Sequence, residues 1–424
     1  MRRVALPLLT VLATTALATP AVAAPAGAAP QGPSSPPRAG DAADRHIRLR
    51  TWDSGDQWRQ GTLDGAVVRK GRLVFDQATG TTTYAGHSYD RATWTSDWAE
   101  PGFSFENLIP SWSALTAGDT WLGIEVRGRT AGGDTTSWDL MARWKAGHLH
   151  LRRSSVSGQS DDGTTVNVNT WVTSGLSAYQ LRIDLMRRTG TNGRPSVDMA
   201  AAMASRIPDR AGATSDPGVA AGKVLAVPRY SQMAHLGHFP AFGGGGEAWC
   251  SPTSTSMVLG YYDALPAPSR YRWVPSSDPA SWVDYAARAT YDHDYDGTGN
   301  WPFNTAYAAP LAGKAFVTRL RSLAEAEKLV KAGIPVVASI AFADGELDGA
   351  PITASNGHLV VIVGFRDNGN PVVNDPAADT KAGVRRTYRR DQFEKVWLDA
   401  SGGMAYVIHD KAHPLPHPGK HSNW

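Results

Sequence analysis

The chain has 424 residues, 42 Lys and Arg against 39 Asp and Glu, a formal net charge of +3 and one cysteine. That near balance, with no dense basic run, argues against a dedicated nucleic-acid or anionic-membrane surface. A single cysteine makes no internal disulfide, so stability must come from buried apolar surface, which a chain of this length supplies most readily as two domains.

Taken in chain order, residues 1–23 read as a signal peptide. "MRR" is a basic start, "VALPLLTVLATTALA" an apolar stretch too short for a membrane span, and "PAVAA" a small-residue cleavage site. The expected cut follows Ala23, or falls at a second site near Ala28. No later segment is apolar enough to cross a bilayer, so a secreted protein with no membrane span after processing is expected. Residues 24–43, rich in Ala, Pro, Gly and Ser, read as a disordered linker.

From 44 to 208 the pattern is all β. "TWLGIEVRGR" places Leu122, Ile124 and Val126 on one face, and "AYQLRIDLMRR" does the same with Tyr179, Leu181, Ile183 and Leu185. "GHLHLRRSS" (147–155) is a further strand candidate, and "AGGD", "SDDG" and "TNG" mark turns. Short alternating strands with polar turns predict a β-sandwich or jelly-roll-like domain. The region carries Trp52, Trp58, Trp94, Trp98, Trp112, Trp121, Trp138, Trp144 and Trp171. A cell-wall or glycan-contacting face is one reading. The favoured one is that most are core and rim residues, since aromatics are enriched in strands.

Residues 209–222 are polar, rich in Gly and Pro and aperiodic, and predict an interdomain linker. From 223 to 412 the pattern mixes helix and strand. "SLAEAEKLVKAG" predicts a helix with a capping box from Ser322 to Glu325 and a stop at Gly333. "IPVVASIAF", "HLVVIVGF", "PVVND" and "GGMAYVIHD" predict strands of an antiparallel sheet, giving an α+β domain, with 413–424 as a tail. Each half has its own apolar pattern and is expected to fold alone.

The lone cysteine lies in "GGGGEAWCSPTSTSMVLGYY". Cys250 opens a predicted helix, where unpaired N–H groups and the dipole favour a thiolate. Pro252 suits the first turn. Ser251 and Thr253 are candidate caps, and Met257, Val258 and Tyr261 candidate core contacts. Glycines 243–246 would let backbone approach a substrate. A buried structural cysteine is the alternative, and the position argues against it.

A nucleophilic cysteine needs a base. His235 and His238 have an H-x-x-H spacing that could hold a metal, yet the third ligand is not evident, so they read as loop decoration and no metal or cofactor is expected. His358 opens an apolar strand, and "PVVNDP" follows with Asp375 as an orienting carboxylate. Geometry constrains this pair. A tight hairpin at Asn368-Gly369 would oppose Asp375 to Ile362, four residues from His358, or about 13 Å at ~3.3 Å per residue. The pair requires a turn centred near Arg366-Asp367, or a bulge. "DHDYDG" places Asp292, Asp294 and Asp296 in an EF-hand-like pattern, but Phe303 stands where the loop's Glu should be. It reads as a solvated acidic loop near the active-site mouth rather than a calcium site.

"VPRYSQ", "WCSPTSTSMVLGYY", "GHLVVIVGF" and "VVNDPAA", in that order, resemble the C39-like cysteine peptidases of the papain-like superfamily over about residues 225–410. The resemblance implies a papain-like fold, with Cys250 as nucleophile, His358 as general base and acid, and Asp375 as orienter. It also implies Gln232 as an oxyanion donor beside the Cys250 N–H. Two features depart from the pattern: a long gap between Gln232 and Cys250, and Ser251 where glycine is commoner. The expected activity is hydrolysis of peptide bonds in a peptide or protein substrate by a secreted monomer. A thiol amidase or transpeptidase acting on cell-wall or other non-protein amides, or a non-catalytic wall-binding protein, is the alternative.

Overall fold

A computed structural model describes residues 44–147, 151–418 and 422–424. The expected signal peptide (1–23) and disordered linker (24–43) lie outside the described residues.

The N-terminal half is built from two antiparallel sheets. One has Phe105–Leu115 and Ser196–Arg206 at its centre, with His46–Trp52 paired to the latter. The other is centred on Thr120–Arg129 and Ala178–Arg188, paired in register with Leu122, Ile124 and Val126 opposite Leu185, Ile183 and Leu181. The sheets meet through aromatic edges. Trp112 lies 5.9 Å from Trp144 and Phe105 5.7 Å from Tyr179, both edge-on. Seven of the nine tryptophans (52, 58, 94, 112, 121, 144 and 171) are buried, which favours the core reading. Trp98 and Trp138 are only half-buried and are covered by Arg127, Arg129 and Arg182. Among the described residues of the 147–155 candidate, 147 and 151–155, only Ser154–Ser155 forms a strand.

The C-terminal half holds a six-stranded antiparallel sheet in which Ser355–Phe365 lies between Val336–Phe342 and Pro371–Asn374. The Cys250–Tyr261 helix crosses Ser355–Phe365 and is buried on all sides from Ser251 to Leu259. Ser254 Oγ anchors it by donating to the Leu359 carbonyl at 2.9 Å. Helices Trp282–Thr290 and Trp301–Ala312 pack against it. The Leu323–Lys331 helix ends at Gly333 as expected, with φ +86°. Its capping box does not form. Glu325 Oε2 accepts from the Arg321 N–H at 2.8 Å, one residue before the expected partner, and Ser322 makes no cap bond.

The two halves do not have separate cores. One continuous apolar cluster runs from Ile47 to Ile408. Phe303 lies between Trp112 and Trp144, at 6.1 and 5.2 Å, and the Val317 N–H donates to Ser111 Oγ at 2.9 Å. The segment 209–222 is tied down by buried carboxylates. Glu327 accepts from the N–H groups of Gly218 and Ala220, and Glu394 from the Ser215 N–H and hydroxyl. Arg390 closes this network by pairing with Glu327 at 2.8 Å. In the expected tail, Asn423 is fully buried and donates to the Arg319 carbonyl and to Glu325.

Candidate active site

Cys250 is the first residue of its helix, and Trp249, at the N-cap position, offers no side-chain cap. Ser251 and Thr253 do not cap either. Ser251 Oγ contacts the Tyr406 hydroxyl at 2.9 Å, and Thr253 Oγ1 is buried without a partner. The helix start therefore keeps its unpaired N–H groups beside the thiol. Trp249 is fully buried and donates to the Phe242 carbonyl at 2.7 Å, fixing the residue before the thiol.

The strand pairing solves the hairpin problem with a bulge. Ile362 opposes Val373 but Gly364 opposes Val372, so Val363 is the extra residue, and the turn runs through Asp367, Asn368 and Gly369. Continuing the register past the Val361–Asn374 pair sets Asp375 level with Val360, two residues from His358 on the same face. Side chains close that gap. His358 Nε2 lies 2.7 Å from Asp375 Oδ1. Cys250 lies close enough to His358 to act on its ring, and Nδ1 is the ring nitrogen that Asp375 leaves free. Cys250 remains partly exposed while His358 and Asp375 are buried.

The electrostatics follow from that geometry. Burial opposes the charged imidazole, but the Asp375 carboxylate outweighs it by charge and hydrogen bond, and Cys250 adds to the effect. The ring is raised from 6.5 to about 10. Burial pushes Asp375 up, but His358 first, then the Tyr388 hydroxyl and the Ala377 N–H, bring it below its ordinary value.

Two tyrosines join the site without a sequence signal. Tyr388 donates its hydroxyl to Asp375 Oδ2 at 2.7 Å and stacks on Phe393. Tyr295, from the "DHDYDG" turn, has its phenol pushed up by burial and then by the nearby Cys250. Replacing Tyr388 by Phe should leave Asp375 Oδ2 short of its donor and cost about 1–3 kcal/mol of stability, measured by urea denaturation.

Gln232 is buried. Its backbone N–H donates to the Pro376 carbonyl at 2.8 Å and its side-chain amide to the Glu247 carbonyl, which sets it between the residue after Asp375 and the approach to Cys250. An amide nitrogen has two N–H groups, so one remains for a ligand. Within the glycine run, Gly244 is exposed, but Gly243 and Gly246 do not face open space. They pack against protein backbone: a Cβ on Gly246 would sit 1.9 Å from the His235 carbonyl oxygen, and one on Gly243 2.9 Å from the Gly297 Cα.

Asp292 is not solvated. It is fully buried and accepts from the N–H groups of Ser155, Asp294 and Tyr295 and from the Asn300 amide. Its donors come from both halves of the chain, and Asp294 and Asp296 point to other partners, the Ser157 N–H and the Tyr291 hydroxyl. His235 is not loop decoration. It is fully buried, and Asp284 supplies the third group that the sequence did not reveal.

A thiol at an uncapped helix start, an imidazole between it and a buried carboxylate, and an amide close by are the apparatus of a thiol-dependent hydrolase. The Peptidase C39 N-terminal domain matches residues 48–205, and the Peptidase_C39 like family matches residues 224–404, which contain all four of these residues. The chain belongs to the C39-like peptidase family. No curated protein matches it. Among solved structures, that of infectious bursal disease virus Gt strain is 11% identical, with a TM-score of 0.20, over 37% of this chain and 32% of the viral one. A family two carbohydrate esterase from Cellvibrio japonicus is 8% identical, with a TM-score of 0.18, over 52% of this chain and 50% of the esterase. The chain thus spans about a third of the viral protein and half of the esterase, and TM-scores this low define no shared fold. Among the described residues no helix is long and apolar enough to cross a membrane.

Proposed function

We propose that the protein is an exported cysteine peptidase with a papain-like catalytic half. Cys250 attacks the scissile carbonyl as thiolate, and His358 Nδ1 protonates the leaving amine. Water, deprotonated by the same nitrogen, then releases the acyl-enzyme. Asp375 keeps the ring oriented and charged. The Cys250 N–H and the free amide N–H of Gln232 receive the developing oxyanion. The observation that carries this reading is the buried His358 held by Asp375 Oδ1 at 2.7 Å and raised in pKa by that carboxylate and by the nearby Cys250. Export rests on the N-terminal pattern of residues 1–23. Substrates are peptides or proteins, and wall or glycan contact by the N-terminal half is a separate expectation.

The test is mass spectrometry after treatment with a peptidyl thiol electrophile, paired with cleavage of an unstructured protein. Labelling at Cys250 and cleavage lost in C250A are expected. An unlabelled Cys250 in folded protein would remove the thiol from the chemistry. Labelling without proteolysis, but with release of an amide from wall fragments, would favour the amidase reading.

A further inference from the structure

We propose that His235, His238 and Asp284 form a structural zinc site that fastens the segment leading to the thiol. Among the described residues these are the one group whose ligand atoms converge, within 4.8 Å of one another. His235 and Asp284 are fully buried and His238 sits at the rim. Asp284 turns one oxygen to each ring: Oδ1 lies 3.0 Å from His238 Nδ1, and Oδ2 lies 3.0 Å from His235 Nδ1. The second contact is not aligned as a hydrogen bond. His235 Nδ1, His235 Nε2 and Asp284 Oδ2 are all left buried without a hydrogen-bond partner. Buried polar atoms are rarely orphaned in this way, and two that face each other, His235 Nδ1 and Asp284 Oδ2, indicate a missing ligand rather than a missing bond.

The chemistry and spacing fit zinc. Imidazole with carboxylate is an accepted donor set, and ligands at 2.0–2.2 Å in a tetrahedron stand about 3.3–3.6 Å apart. The observed 3.0 Å separations fall about 0.3 Å short of that range, and Asp278 Oδ2, 3.7 Å from His238 Nδ1, sets a second carboxylate at the rim. A dication balanced by two carboxylates and two neutral rings is uncharged, as a buried site requires.

The location gives the site its role. Both histidines lie between Gln232 and Cys250, and Asp284 lies on the Trp282–Thr290 helix. The His235 ring packs on Trp249, centroids 6.2 Å apart, and its carbonyl abuts Gly246. Zinc would pin the long Gln232–Cys250 segment to that helix and hold Trp249, the residue before the thiol. It is a positioning site, separate from the thiol.

The test uses full-length protein stripped with a chelator and titrated with zinc at micromolar free concentration, read by elemental analysis. About one equivalent is expected, bound equally by C250A, with a raised melting temperature. Cobalt(II) should give tetrahedral visible bands without a thiolate charge-transfer band. D284N and H238Q should bind at least about tenfold more weakly. H238Q alters a rim residue, so it keeps the test open if D284N does not fold. Less than about a tenth of an equivalent in both wild type and C250A would overturn the proposal. So would zinc that disappears in C250A, which would place it on the thiol, or zinc retained at full affinity in H238Q.

Discussion

H358A is expected to lose peptide hydrolysis by about 100- to 10,000-fold, the range for removing a positioned general acid and base. The same change should alter thiol reactivity. With the ring raised to about 10, an imidazolium stands beside Cys250 at neutral and mildly acidic pH and favours the thiolate. A small neutral alkylating reagent should therefore modify wild-type Cys250 quickly under mildly acidic conditions. In H358A that low-pH reactivity should fall sharply, with a remnant from the uncapped helix start. Alkylation and hydrolysis profiles unchanged in folded H358A would end its assignment as the base.

The sign of the stability effect follows from the same shift. His358 is raised on folding, so its contribution is fully present below the unfolded value near 6.5 and is lost as pH rises through about 10. Wild-type stability in chemical denaturation should therefore decline over that alkaline interval, and the decline should be smaller in H358A. Asp375 is lowered, so its side of the same interaction is present above the unfolded carboxylate value and is lost on acidification through the folded one.

What the sequence revealed of this site depended on local signals. Cys250 was legible because a lone cysteine opened an apolar helix, and His358 and Asp375 because each bordered an apolar strand. Their contact was legible only as a condition, a shifted turn or a bulge, because it depends on a single bulged residue, Val363, that no turn motif announces. Tyr388 and Asp284 were invisible for a different reason. They reach Asp375 and His235 through packing between elements distant in sequence. Gly243 and Gly246 were misread because a glycine's missing Cβ says that something comes close but not what. Here it is the backbone of His235 and Gly297. Apolar periodicity likewise predicts which face is buried but not what covers it, so two separate cores were expected where one exists.

That shared core sets the second large effect. A chain lacking residues 44–208 is expected not to fold. Phe303 would lose Trp112 and Trp144, and burying a side chain of that size is worth about 1.5–3 kcal/mol. Arg319, fully buried in the intact chain, would lose Ser205, and Arg321 would lose the carbonyls of Arg45 and Ile47. Asp292 would lose the Ser155 N–H, and the Tyr291 and Arg288 carbonyls would lose the Arg153 guanidinium. Each lost polar contact is exchanged for water and costs about 0.5–1.5 kcal/mol net, so that the six together with the lost apolar burial are of the same order as the roughly 5–15 kcal/mol that holds a whole domain folded. The 301–312 helix, whose exposed face would then be apolar, should drive the fragment to aggregate. Near-ultraviolet circular dichroism and thiol labelling of a 209–424 fragment decide the matter. Lost tertiary signal with ordinary thiol reactivity is expected, whereas a cooperative melt with the low-pH reactivity of the full chain would show that the junction is dispensable. Asp292 also heads the turn that carries Tyr295, whose phenol is pushed up by burial and then by Cys250, so losing the Ser155 contact is expected to loosen that turn as well as to cost stability.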